Sequence, residues 1–394
     1  KAMVEMGRFV KPILGMLPPD PTSLDPRGLQ KLLFLARRFQ QMSRQDQYNQ
    51  IQLMTMSAVD FLDQWFETDV LKATMSASGI IGTFLGGRSP GTAYVLLHHY
   101  MGEIDGAFRS WGLCRGGTGA ISNAIAAAAR EAGAEIRTEA AVERVVVTGN
   151  KAHGVVLKNG DEIGASLVAS SVDPRLTFMR FLDRGLLPDD FVEDIHRYKF
   201  RGSSGKVNMA LDALPDFPVP KHTSAADHAH LRGAVSISPS IDYMERAYDD
   251  AKYGRYSRRP YIDIVIPSLT DPSVAPPGKH VMSCFVQYAP YNLKEGGTWD
   301  DHREAFGDTV IDTIAEHAPN IKDIILHRQV LTPLDIERTF GLTEGNIFQG
   351  ELTLEQLFFL RPAPGWAQYK TPVKGLYMCG SATHPGGGIM GAPG

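Results

Sequence analysis

The residues best suited to hold a flat, polar ligand lie in one stretch, GLYMCGSATHPGGGIMG, from Gly375 to Gly391. Gly386, Gly388 and Gly391 have the spacing GxGxxG. As a dinucleotide fingerprint this spacing lacks its context. Such a fingerprint follows its strand at once, opens a helix and has an acidic residue about 20 positions on. Here Gly386 lies six positions after Gly380, and the chain ends at Gly394. The plainer reading is a glycine-rich turn. The fuller pattern adds a physical role. A buried strand, LYMCG, delivers the chain to Ser381 and Thr383, and His384-Pro385 and three glycines follow. Glycines allow a backbone to approach a ring closely. A helix starting near Ile389 would aim its free N–H groups at negative charge on that ring. Gly387, Gly388, Ile389 and Met390 are therefore candidate backbone contacts.

Other residues carry two readings each. His98-His99 could bind a metal, but neighbours on a helix point different ways, so a packed or hydrogen-bonded pair is the expectation. His384 could touch a ring or substrate, or could brace its loop. Arg361 could hold the C-terminal segment through carbonyls, or be a surface cation. Glu337 and Arg338 read as a solvated pair, and Cys379 as a small buried hydrophobe. The Met- and aromatic-rich residues 53–66 read as core, with an apolar substrate tunnel as the alternative. No catalytic acid or base stands out.

The elements that must position these residues can be read in turn. Residues 1–110 are mainly helical: Leu29–Met42 and Val59–Lys72 have apolar residues at helical spacing. The stretch SGIIGTFLGGRSPGTAYVLLHHYMG reads as close-packed turns, because glycine is poor in helices. In residues 111–175 a glycine-rich entry leads into a helix ending at Gly133, then AEIRTE, VERVVV, GVVLKN and SLVASSVDP read as strands. Asn159-Gly160 is the strongest short hairpin signal, a type I′ turn. Residues 176–330 read as α+β, with strands in KVNMALDAL, GAVSIS, PYIDIVIP and KHVMSCFVQYAP and helices at Asp242–Lys252 and Trp299–His317. Residues 331–394 open with a proline-led helix, LTPLDIERTFG.

Composition narrows the classes of function. The 394 residues are 43% apolar and 21% charged, with a net charge of −4, so neither disorder nor a nucleic-acid surface is expected. The length suggests two or three domains. The three cysteines show no CxxC spacing, which argues against zinc and structural disulfides and fits a reducing compartment. No apolar run is long enough for a membrane-spanning helix.

The stretch Gly375–Gly391 resembles the C-terminal flavin-contacting segment of phytoene-desaturase-like FAD-dependent oxidoreductases. So do TLEQLFFLRP, LTPLDIERTFG and RGGTGAISNAIAAAAREAGAEI. One subgroup of that family resembles nearly the whole chain, including LDQWFETDVLKAT, GTAYVLLHHYMG and FGLTEGNIF. The resemblance implies an α/β plus α+β flavoprotein with a discontinuous FAD domain and a sheet-and-helix substrate domain. Its divisions would be 1–110, a helical part of the substrate domain; 111–175, a middle FAD segment; 176–330, the rest of the substrate domain; and 331–394, the C-terminal FAD segment. FAD is the implied cofactor. Val142, Ser170 and Ser171 would lie on its adenosine side, with Gly380, Ser381 and Gly387–Met390 at the isoalloxazine. The family's N-terminal βαβ unit is not matched by any residues here, so a chain of these residues alone is expected to hold FAD weakly. The implied activity is dehydrogenation or desaturation of a lipophilic small molecule, with an amine oxidase of the same superfold as a variant. The alternative is a non-catalytic module binding an apolar ligand or a partner. The implied location is cytoplasmic with peripheral membrane contact, or mitochondrial in a eukaryote.

Overall fold

The structure is a computed structural model that describes residues 2–108, 110, 112–219, 226–294, 296–388, 391 and 393. Its first hundred residues are helical: α1 (Ala2–Leu14), α2 (Pro26–Gln41), α3 (Arg44–Thr55), α4 (Ala58–Asp63), α5 (Asp69–Ser76) and α6 (Thr92–Tyr100). Side chains cap the starts of the second to fourth. Asp25, Ser43 and Ser57 each accept a backbone N–H of the first turn, which satisfies a donor the helix itself cannot. Two expectations change here. Val59–Lys72 is two helices, because Thr68 is extended and begins α5 separately from α4. The glycine-rich stretch from Ser78 also contains α6, which starts just beyond Gly91. Its residues Ala93 to Leu97 are fully buried against Met6 and Val10 of α1, Leu53 of α3 and Phe61 of α4. Tertiary burial outweighs the local penalty of the preceding glycines.

A small hairpin, β1 (Glu103–Ile104) and β2 (Ala107–Phe108), precedes α7 (Thr118–Glu131). An antiparallel sheet follows: β3 (Val142–Thr148), β4 (Lys151–Leu157) and β5 (Glu162–Gly164). The type I′ turn is not at Asn159-Gly160. It joins β3 to β4 at Gly149-Asn150, where φ is +57° and +59°. Both central residues of that turn need positive φ, and Gly and Asn tolerate it best. At the later loop only Gly160 has positive φ, and four residues connect the strands. AEIRTE forms no strand among the described residues.

β6 (Val168–Ser170) then leads into α8 (Pro174–Met179) and α9 (Asp189–Arg197). The largest sheet has five strands in the order β11-β7-β10-β9-β8. They are β7 (Ser204–Leu211), β8 (Val235–Ile237), β9 (Tyr261–Val265), β10 (His280–Gln287) and β11 (Ile325–Leu331). The last had no counterpart in the sequence reading. All pairings in this sheet are antiparallel. Alternation sets its two faces. Val207, Met209, Ile262, Ile264, Met282, Cys284 and Val286 pack inward on Trp299, Phe306 and Val310. Lys206, Asn208 and Ser283 lie on the other face and are less buried. The inward apolar layer is covered by α11 (Trp299–Ala315). Between β8 and β9 runs α10 (Ile241–Lys252), and between α11 and β11 the short α12 (Ile321–Ile324).

α13 (Pro333–Phe340) has a capping box: Thr332 and Asp335 each bond the other's backbone N–H. The final strand, β12 (Leu376–Met378), pairs parallel with β6: Leu376 faces Val168 and Met378 faces Ser170. This small sheet and β4 enclose a core of Val145, Ala152, Phe178, Phe191, Leu376 and Met378. Among the described residues, no helix is long and apolar enough to cross a membrane.

Candidate flavin site

The parallel pairing of β6 and β12 decides where the candidate residues meet. Both strands run the same way, so the residues after each end lie at one edge. Ser170 ends β6 and Ser171 follows it, while Gly380 and Ser381 lie just beyond β12. The Cys379 N–H donates to the Ser170 carbonyl (2.8 Å). A Cβ on Gly380 would lie 2.9 Å from the Ser171 carbonyl oxygen, so only glycine permits this approach. Ser170 Oγ is 2.8 Å from Thr177 Oγ1. Four of the residues expected from sequence are thus brought together. Open α/β sheets bind their ligands in the crevice beyond the carboxyl ends of their strands, and these four residues occupy that position.

Gln349 went unnoticed in the sequence, yet it links the two halves of this edge. Its Nε2 donates to the Ser171 carbonyl (3.3 Å), and its Oε1 accepts from the Ala382 N–H (3.2 Å). The signal was nearby, because Gln349 directly follows the FGLTEGNIF segment.

From Gly380 the chain winds through consecutive turns. Thr383 bonds the Gly380 carbonyl through its N–H (3.0 Å) and its Oγ1 (2.8 Å), and the Gly386 N–H reaches the Thr383 carbonyl (2.8 Å). Arg361 fixes this loop from below. It is fully buried, and its guanidinium donates only to carbonyls. These are Ser381 (2.8 and 3.1 Å), Phe348 (2.9 Å), Glu351 (3.1 Å), Gln356 (3.2 Å) and Gly350 (3.2 Å). Among the described residues no carboxylate pairs with it. Burial alone pulls its affinity for the proton below the ordinary arginine value. Six charge-assisted hydrogen bonds to carbonyl dipoles replace the lost solvation. Of the two sequence readings of Arg361, the structure selects the carbonyl clamp. Next to it, Glu351 is buried and accepts both arms of Arg201; desolvation holds its carboxyl above the usual range.

His384 is also fully buried. Its Nε2 lies 3.0 Å from the Ile13 carbonyl at the end of α1, and its own carbonyl accepts the Tyr369 hydroxyl (2.9 Å). These bonds brace the loop against the helical region. Burial lowers the pKa of its imidazole, so the ring is neutral near pH 7. His98 reaches the same loop from α6, with Nε2 3.2 Å from the Gly387 carbonyl. His99 turns away and bonds the Val95 carbonyl in its own helix (2.9 Å). The pair is hydrogen-bonded and packed, as expected, and among the described residues no three His, Cys, Asp or Glu side chains could share a metal.

Val142 begins β3 and is not part of the hydrogen-bonded edge described above. β3 and β4 meet the C-terminal segment near their turn, where the Ala152 N–H bonds the Lys374 carbonyl (2.8 Å). Val142 is at the opposite end of the seven-residue β3, about 20 Å away at the usual strand rise. Ile389 and Met390, and the helix expected to start there, lie outside the described residues. Of the remaining candidates, Cys379 is half-buried, with its thiol pKa raised by desolvation. Glu337 departs from the solvated-pair reading. It accepts the Tyr291 hydroxyl and the Glu344 N–H, while Arg338 pairs with Asp300. The 53–66 segment is largely core, through Leu53, Phe61 and Leu62.

The family model described as flavin containing amine oxidoreductase matches residues 28–392. The chain belongs to this family. A rat protein, pyridine nucleotide-disulfide oxidoreductase domain-containing protein 2, is 42% identical over 352 residues, covering 88% of this chain and 60% of the rat protein. It represents the subgroup expected from LDQWFETDVLKAT and GTAYVLLHHYMG. The lycopene-forming phytoene desaturase of Pseudescherichia vulneris is 26% identical over 290 residues, covering 72% of this chain and 54% of that enzyme. An oxidoreductase from Methanosarcina mazei has a similar fold, with a TM-score of 0.55 and 19% identity over 95% of this chain and 72% of its own. The chain therefore spans about three fifths of its rat relative. The mixed α/β fold class and the oxidoreductase family read from the sequence are both supported by these likenesses.

Proposed function

We propose that the protein works as an FAD-dependent oxidoreductase that removes hydride from a C–H bond of a lipophilic small molecule. One observation carries the reading: parallel β6 and β12 deliver Ser170–Ser171 and Gly380–Ser381 to one edge, where Gln349 ties them together. That edge fits the group. Its polar atoms are mostly backbone, its glycines let the chain pack closely on itself, and the buried Arg361 keeps it rigid. When bound there, the flavin supplies the capacity to accept hydride. The protein's own residues bind, orient and exclude water. Ser170, Ser171, Gly380, Ser381, Gly387 and Gly388 would hold the cofactor, and Val142 would meet its far, adenine end. No side chain of the described edge is placed as a general base.

Protein that carries these residues together with the family's dinucleotide-binding βαβ unit, mixed with FAD and then dialysed, should retain the cofactor and show flavin absorbance bands. A colourless protein after that treatment would overturn the reading.

The lipophilic substrate is supported by the name of the bacterial relative, a phytoene desaturase, and by the outer surface of α2. Leu29, Leu33 and Phe34 are exposed there, beside Leu24 in the preceding loop. The helix PRGLQKLLFLARRFQQ carries arginine and lysine but no acidic residue. Exposed apolar side chains among cations suit the surface of an anionic membrane, where such a substrate is dissolved. Co-sedimentation with vesicles containing phosphatidylglycerol, but not with phosphatidylcholine vesicles, is the expected result. Replacing Leu29 and Leu33 by glutamate should abolish it.

A further inference from the structure

We propose that His98 is a positioning residue that sets the orientation of the Gly386–Gly388 loop by holding the Gly387 carbonyl. The proposal rests on the flavin reading only for what this loop faces; the restraint itself is a property of the chain.

The geometry leaves the imidazole one productive tautomer. The group 3.2 Å from Nε2 is a carbonyl oxygen, which can only accept. Nε2 must therefore carry the proton, and Nδ1 is left with a lone pair. Nδ1 is shielded from solvent and has no partner. One turn earlier on the same helix face, Tyr94 is fully buried and its hydroxyl is also without a partner. Two unsatisfied buried polar atoms on one helix face are costly. A phenylalanine at either position would avoid that cost, so packing alone does not account for this histidine. Its bond to the loop does.

His99 restrains the same loop from a second direction. Successive residues of a helix point about 100° apart, so His98 reaches the Gly387 carbonyl while His99 packs edge-on against Phe348, with centroids 5.9 Å apart. Phe348 in turn fills the space where a Gly387 side chain would be: a Cβ there would lie 2.2 Å from Phe348 Cδ1. The Phe348 carbonyl is itself held by Arg361 (2.9 Å). Gly387 is thus fixed by a hydrogen bond on its carbonyl and by an aromatic ring against its Cα. With its carbonyl turned toward α6, the plane of the peptide to Gly388 is set, and the Gly388 N–H, trans to that carbonyl, faces away from the helix. In the flavin reading that N–H would be offered to the cofactor.

The test is hydrogen exchange on the chain without cofactor, comparing His98→Phe with His98→Gln. Glutamine places an N–H donor near the position of Nε2. In His98→Phe the peptide spanning 380–388 should exchange at least about tenfold faster. Peptides from β7 and β10 should be unchanged, and His98→Gln should restore the loop to within about threefold of wild type. Unchanged loop exchange in His98→Phe would overturn the proposal, as would equal acceleration of loop and sheet. Should His98→Phe not fold, nitrogen-15 spectra of histidine-labelled wild-type protein decide the matter. Protonated Nε2 with unprotonated Nδ1 supports the bond, and the opposite tautomer sinks it. An FAD titration separates the two readings. A dissociation constant about tenfold weaker in His98→Phe, recovered in His98→Gln, supports both. An unchanged constant removes the positioning role toward flavin. No FAD binding by the wild type would end the flavin reading while the exchange result stands.

Discussion

Arg361 shows how much one side chain can decide. Its guanidinium satisfies five carbonyls that no strand or helix ladder reaches. Arg361→Met would leave four of them without a donor, Glu351 keeping the longer bond from Gln356 Nε2 (3.4 Å), at roughly 1–3 kcal/mol for each that water cannot reach. A loss of at least about 3 kcal/mol in urea unfolding is expected, and Arg361→Lys should recover little, because an ammonium lacks the planar fork. The buried histidines set a pH dependence. Desolvation pushes His98 down to about 3 from an ordinary value of 6.5, with smaller effects from His99 and Arg361, and His384 is lowered for the same reason. Between those two values the unfolded chain binds the proton and the folded chain does not. The contribution is therefore complete above pH 6.5 and is lost as the pH falls toward 3. Equilibrium unfolding from pH 7 to 5 should show wild type losing about 1–2 kcal/mol more than His98→Gln; equal losses would contradict the assignment.

At the scale of elements, several devices were legible and others were not. The capping box Thr332–Asp335 and the proline at Pro333 announce α13, and Thr332→Ala should cost about 1 kcal/mol in thermal or chemical unfolding. The strands of the large sheet follow from their alternating or apolar runs, with β11 as the exception. Its sequence ILHRQVL has no clean alternation, because it is an edge strand with a register shift against β7. The Gly149-Asn150 turn was overlooked in favour of Asn159-Gly160, since both pairs have turn chemistry and only strand register distinguishes them. Gly387 was read as leaving room for a ligand, but part of its role is to receive Phe348. Gly387→Ala should destabilise the protein by about 1–3 kcal/mol. Gly387→Ala combined with Phe348→Leu should recover a good part of that loss, and equal losses in the single and double variants would show that the contact is unimportant.

At the scale of the whole molecule, the site is made by segments far apart in sequence. β6 supplies Ser170 and Ser171, the 348–361 segment supplies Gln349 and Arg361, β12 leads to Gly380–Gly388, and α6 contributes His98. A ligand that binds only this assembled edge must stabilise the whole fold. At 100 times its dissociation constant, FAD should add about 2.7 kcal/mol, visible as a rise in Tm, and a Tm indifferent to FAD would count against the flavin site. The sequence by itself determined the family, about half of the helices, most of the strands, and the segments that meet at the site, because those depend on local periodicity, caps and long contiguous motifs. It also marked Ser170, Ser171, Gly380 and Ser381. Only the tertiary structure decided that these four share one edge, that Gln349 bridges them, that His384 ties its loop to the end of α1, and that Arg361 and His98 hold the loop. Those outcomes depend on which distant carbonyl lies within about 3 Å of a donor, and no local pattern in a chain encodes that distance.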